Sequence, residues 1–109
     1  MESKTIEMDF ADRANLMSIL PQNGNRIKIR LISSIMEQVE FTVQEINHWN
    51  INIMPDGRTS WNPAGGPTTK DVHFSPKEIE IISEAINEAD RVGVIPFKMM
   101  KWIEKFESL

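Results

Sequence analysis

The sequence predicts an α+β fold: N-terminal helices, a small antiparallel β-hairpin or three-stranded sheet, and a C-terminal helical pair. Three observations carry that expectation. Residues 75–93 hold an apolar stripe of helical period between two well-marked ends; residues 49–54 switch to a period of two; and Pro96 opens a second helical pattern that runs to Phe106. Helices and strands thus occupy separate stretches, without the strand–helix alternation of a parallel sheet.

In chain order, residues 1–8 read as a frayed lead-in. Asp9 is placed to cap a helix through Leu20, with Phe10, Ala14, Met17 and Leu20 on one face and Asp12 in the first turn, where the helix dipole favours a negative charge. Pro21 and Asn23-Gly24-Asn25 end it. From Arg26 to about Gln38, Ile27, Leu31, Ile35 and Val39 recur every fourth residue as in a helix, although the alternation over Arg26–Leu31 also fits the start of a strand. Thr42 and Glu45 form a capping-box pair that starts a short helix ending near His48.

Trp49, Ile51 and Ile53 then alternate with polar residues, Pro55-Asp56-Gly57-Arg58 reads as a turn, and Thr59, Ser60 and Trp61 return as the partner strand, with Trp49 and Trp61 facing each other across the hairpin. Residues 62–70, rich in proline and glycine, read as a flexible loop, and Val72 and Phe74 as a third short strand. The next helix has Ser75 as N-cap, Pro76 at its first position, Glu78 at its third and Gly93 just past its end, with Ile79, Ile82, Ile86 and Ala89 inward and Glu80, Glu84 and Glu88 outward. In the last helix Met99, Trp102, Ile103 and Phe106 crowd one side while Phe97, Met100 and Lys101 lie round the other, more apolar surface than one small domain is expected to bury.

The chain has 109 residues, enough for one domain with a single core. Its composition, 40% hydrophobic and 26% charged, is that of a globular protein rather than a disordered one. No cysteine is present, which excludes disulfides and thiolate chemistry. No apolar run approaches the roughly 20 residues that span a bilayer. Met1-Glu2-Ser3-Lys4 lacks the basic-then-apolar order of a signal peptide, so a cytoplasmic location is expected.

The net charge of −4 is shared evenly: residues 1–54 carry five Lys/Arg against seven Asp/Glu, and residues 55–109 carry seven against nine. Phosphate neutralisation drives general nucleic-acid affinity, and neither half is basic enough to supply it.

Several groups of residues have chemical potential. His48, Asp71 and His73 offer two imidazoles and a carboxylate to a divalent metal, but their spacing matches no strong metal motif, and polar surface positions are the simpler reading. Gly65–Lys70 has the residue types of a phosphate loop in the wrong order, and no Gly-x-Ser-x-Gly elbow exists. No enzyme, cofactor or metal is therefore expected. Helices followed by a hairpin resemble winged helix-turn-helix order, in which Thr42–His48 would read bases, Arg58 would sit on the wing, and Arg26, Lys28 and Arg30 would meet phosphates. That reader helix offers no lysine or arginine, and Glu45 would repel phosphate. Met99, Trp102, Ile103 and Phe106 read either as an intramolecular core or as a partner-binding surface, and a protein partner, with Glu80, Glu84 and Glu88 as a second face, is the stronger expectation than nucleic acid.

Leu20-Pro21-x-x-Gly24-Asn25, Phe41-Thr42-x-x-Glu45-Ile46, Ser60-Trp61-Asn62, Phe74-Ser75-x-x-Glu78 and the ending Ile103-Glu104-Lys105-Phe106 together resemble small uncharacterised proteins of bacteriophages and prophages of low-GC Gram-positive bacteria. The proline-glycine loop at 63–67 departs from the resemblance, being longer than a hairpin connection requires. The resemblance implies no catalytic residues. It implies an accessory phage or mobile-element role, acting in the host cytoplasm on a host or phage protein, with a homodimer as one form.

Overall fold

The computed structural model describes residues 3–55 and 59–108. In chain order the elements are β1 (Lys4–Met8), α1 (Phe10–Ile19), α2 (Arg26–Val39), α3 (Val43–Trp49), β2 (Asn52–Ile53), β3 (Thr59–Ser60), a 3-10 turn (Pro63–Gly65), β4 (Lys70–Phe74), α4 (Pro76–Val92), a second 3-10 turn (Phe97–Met99) and α5 (Met100–Glu107). This is the expected α+β architecture. Of the turn expected at Pro55-Asp56-Gly57-Arg58, residues 56–58 lie outside the described residues.

The strands are arranged differently from expectation. Residues 4–8 form β1, which pairs antiparallel with β4 in the register Lys4↔Phe74 to Met8↔Lys70, while β2 and β3 make a separate two-stranded hairpin. β4 therefore adds no third strand to the hairpin. Ile6, Met8, Val72 and Phe74 occupy one face of the β1–β4 ribbon and are buried, and Thr5, Glu7, Asp71 and His73 alternate onto the wet face. Ile6 lies opposite Val72, so the cross-strand contact is itself part of the core.

The helices begin and end where local chemistry demands. Asp9, Thr42 and Ser75 each cap a helix by accepting from the backbone N–H three positions on and in turn donate their own backbone N–H to the acidic side chain there, and Asn25 caps α2. α3 stops at Asn50 and α4 at Gly93, both left-handed, at φ 52° and 75°. Ile32, Ile35 and Val39 of α2 pack with Ile79, Ile82 and Ile86 of α4, and Leu16, Leu20, Met99, Trp102, Ile103 and Phe106 complete the same core.

One polar tie crosses that core. The buried Glu78 carboxylate accepts from the Ser34 hydroxyl at 2.8 Å, the Gln38 amide at 3.3 Å and the Ser75 backbone N–H at 2.8 Å, so the cap of α4 is also its bond to α2. A buried carboxylate so supplied with donors avoids the cost of an orphaned charge.

Candidate functional site

α3 is held onto the body by one side chain that the sequence does not advertise. Arg13 points from α1 into the interior with 0% of its surface exposed. Its Nη1 and Nη2 donate to the two oxygens of Glu45 at 2.7 and 2.9 Å, Nε donates to the Val39 carbonyl at 2.9 Å, and Nη2 donates to the Glu40 carbonyl at 2.8 Å. Two of the acceptors are carbonyls at the end of α2, the group of atoms that a helix C-terminus leaves unpaired. The guanidinium also lies 4.8 Å from the centre of the Phe41 ring. The Arg13 hydrogen bonds hold the Glu45 carboxyl down at about 2, against an ordinary value of 4.5.

Aromatic packing completes the attachment. Phe10 receives Phe41, Trp49 and Trp61 edge-on, with ring centres 5.3, 5.2 and 5.4 Å away. Trp49 and Trp61 thus meet on Phe10 instead of forming a strand pair of their own, because Trp49 belongs to the last turn of α3. The stretch 62–70, expected as a flexible loop, contains a 3-10 turn fastened to the same helix: the Asn62 N–H donates to the Trp49 carbonyl at 2.6 Å, and Trp49 Nε1 donates to the Gly66 carbonyl at 3.3 Å. Only glycine fits at 65, where a Cβ would stand 2.3 Å from Trp49 Cδ1. With Glu45 drawn inward, α3 presents Val43, Gln44, Ile46, Asn47 and His48 outward. The phosphate repulsion expected of Glu45 is therefore answered within the chain by Arg13.

A concavity lies at the opposite end of α2. A groove of about 610 Å³ opens between the C-terminal end of α1, the start of α2 and the second half of α4. Its apolar surface comes from Ile19, Ala85, Ala89, Val92 and Val94, and Lys28, Glu84 and Glu88 stand at its rim. Lys28 Nζ lies 3.9 Å from Glu84, and Arg91 Nε donates to Glu88 at 2.9 Å, which holds the Glu88 carboxyl below its ordinary value. These pairs are solvent-exposed and screened. Beyond Val94 the chain turns out at Phe97, which is 92% exposed.

A smaller hollow of about 250 Å³ sets Glu7, Asp9 and Asp12 against Lys98, Lys101 and Lys105. Burial pushes the Asp12 carboxyl up to about 6, with the Asp9 carboxylate adding to the rise and the Asp9 backbone N–H opposing it.

The partner surface expected on α5 is corrected by the structure. Met99, Trp102, Ile103 and Phe106 are buried, Trp102 and Phe106 stacked with ring centres 5.2 Å apart, because the 3-10 turn at 97–99 directs Met99 inward and α5 continues its stripe. The apolar surplus exists on the other side, at Val94, Phe97 and Met100. Glu80, Glu84 and Glu88 are exposed as expected, and two of the three border the groove.

Other expected groupings are not assembled. His48 Nε2 lies 2.8 Å from the Gly65 carbonyl and His73 Nδ1 lies 2.9 Å from Thr5 Oγ1, so His48, Asp71 and His73 are not brought together. Among the described residues no three His, Cys, Asp or Glu side chains are grouped to hold a metal. Arg26, Lys28 and Arg30 lie in the first part of α2, roughly 14 to 20 Å of helix from the end that leads to α3. Arg58 lies outside the described residues. No helix among the described residues is long and apolar enough to cross a membrane. Comparison with protein-family models, curated proteins and solved structures returns no match.

Proposed function

We propose that this chain is a non-enzymatic interaction protein, an accessory of a phage or mobile element acting in the host cytoplasm, and that it docks another protein surface on the groove between α1, α2 and α4. The observation that carries the reading is an open, apolar-floored groove continuing into exposed Val94 and a fully projecting Phe97. Apolar surface rimmed by charge marks interaction sites, since isolated folding gains nothing from leaving a phenyl ring in water. The phage setting rests on the five motifs named above.

A photo-crosslinking residue at Val94 tests the reading against the same probe at Lys77, an exposed position outside the groove lining. Protein adducts from Val94 and none from Lys77 are expected. Equal yields, or none from either, would overturn it.

Nucleic-acid binding is the second reading, favoured by one observation: α3 has no buried residue, and its only carboxylate is taken up by Arg13. Against it, the basic residues of α2 stand at the far end of that helix. Fluorescence anisotropy with random duplex at low salt separates the two, the interaction reading requiring no binding.

A further inference from the structure

We infer that the occupant of the groove is a second copy of this chain, which inserts its own Phe97 there to form a two-fold dimer; the inference rests on the docking reading above. Knob and groove match in chemistry. Phe97 is held outward on a short turn between Pro96 and the buried Met99, so its direction is set before any partner arrives. The groove floor includes Ala85 and Ala89, whose small side chains leave depth on α4, and Val92 and Val94 wall it.

The two features also lie side by side, as a two-fold contact requires. Val94 borders the groove with Ser18 and Ile19 at the C-terminal end of α1, whereas Lys98, Lys101 and Lys105 share the smaller hollow with Asp9 and Asp12 at its N-terminal end. The segment from 94 to 105 therefore runs back along α1, and Phe97 projects between these points. A surface carrying both knob and groove is self-complementary, which is the condition for an isologous pair. Charge follows the same order: Glu84 and Glu88 stand on the groove rim, and Lys98 and Lys101 flank the far side of Phe97, so a two-fold axis brings the lysines of one copy toward the carboxylates of the other.

Sedimentation velocity on the full chain over a wide concentration range tests this. The wild type is expected to form dimers, and Phe97→Glu and Val94→Arg are each expected to weaken self-association by about tenfold or more. Both positions are exposed, and circular dichroism melts check that each variant folds; Ser18→Arg, also exposed on the groove rim, is the substitute if Val94→Arg does not. An equimolar mixture of Phe97→Glu and Val94→Arg is expected to recover dimers, because one intact knob then meets one intact groove and the two introduced charges are opposite. A wild type that stays monomeric overturns the inference, as does a Phe97→Glu variant that still dimerises or a mixture that does not recover. A monomeric wild type whose Val94 crosslinks to a different protein overturns the second copy alone and leaves the docking reading standing.

Discussion

Replacing Arg13 by Met removes the guanidinium while keeping a side chain of similar reach in the interior. It strands the Glu45 carboxylate and the Val39 and Glu40 carbonyls at once. Breaking a buried ion pair from one side costs about 3–5 kcal/mol. Glu45 retains 19% of its side-chain exposure and its bond from the Thr42 N–H, so part of the charge rehydrates. The expected loss is at the lower end, about 3 kcal/mol, a large share of the roughly 5–15 kcal/mol that holds a domain together. In a thermal melt followed by circular dichroism it corresponds to a midpoint lower by about 15 °C.

The acid limb gives a second readout of the same variant. Because the folded Glu45 carboxyl sits at about 2 and its ordinary value is 4.5, its stabilisation is present above 4.5 and is lost as pH falls toward 2. Arg13→Met loses that limb. Arg13→Met combined with Glu45→Met recovers part of the deficit, since no unpaired carboxylate remains. A loss below about 1 kcal/mol, the worth of a surface pair, would refute the reasoning.

Two further outcomes are expected. Asp12→Asn keeps the oxygen that accepts from the Asp9 N–H but cannot ionise; since the folded Asp12 carboxyl is raised from 3.8 to about 6, its contribution is full below 3.8 and is lost as pH rises through 6, so the variant flattens that decline in urea titrations taken across the interval. Gly65→Ala forces a methyl group into Trp49 and is expected to cost about 1–3 kcal/mol, with a change in tryptophan emission; an unchanged melt and spectrum would show that the turn yields freely.

Local chemistry made some elements legible and long-range pairing hid others. The ends of α4 are written in Ser75, Pro76, Glu78 and Gly93, each acting on backbone groups within one turn, and all four act as expected. The face expected of α1 holds at Phe10 and Leu20, both buried, and fails between them, where Arg13 and Leu16 take the core positions in place of Ala14 and Met17. Phe10, Ala14, Met17 and Leu20 make the more hydrophobic stripe, yet Phe10, Arg13 and Leu16 are buried, because an arginine occupies a core-facing position and its partner stands 32 residues away.

β1 is hidden in the sequence for a similar reason. Ile6 and Met8 do alternate, but the strand exists through β4, which nothing near residue 8 announces. At the candidate site, the acidic rim of α4 was readable from helical period. The groove was not, since it is assembled from α1, α2 and α4 together. The composition of the C-terminal segment showed a surplus of apolar residues, and only the 3-10 turn decides which of them face out.

The pairing of β1 with β4 also bears on how the molecule reaches this state. Lys4 meets Phe74 and Met8 meets Lys70, separations of 74 − 4 = 70 and 70 − 8 = 62 positions, with α1, α2, α3 and the hairpin enclosed between them. Closing so long a loop costs entropy before any ladder bond repays it, whereas the helices and the hairpin form from neighbours. The ribbon is thus expected to close like a clasp over an interior already gathered, the first strand of the chain arriving late in its own fold.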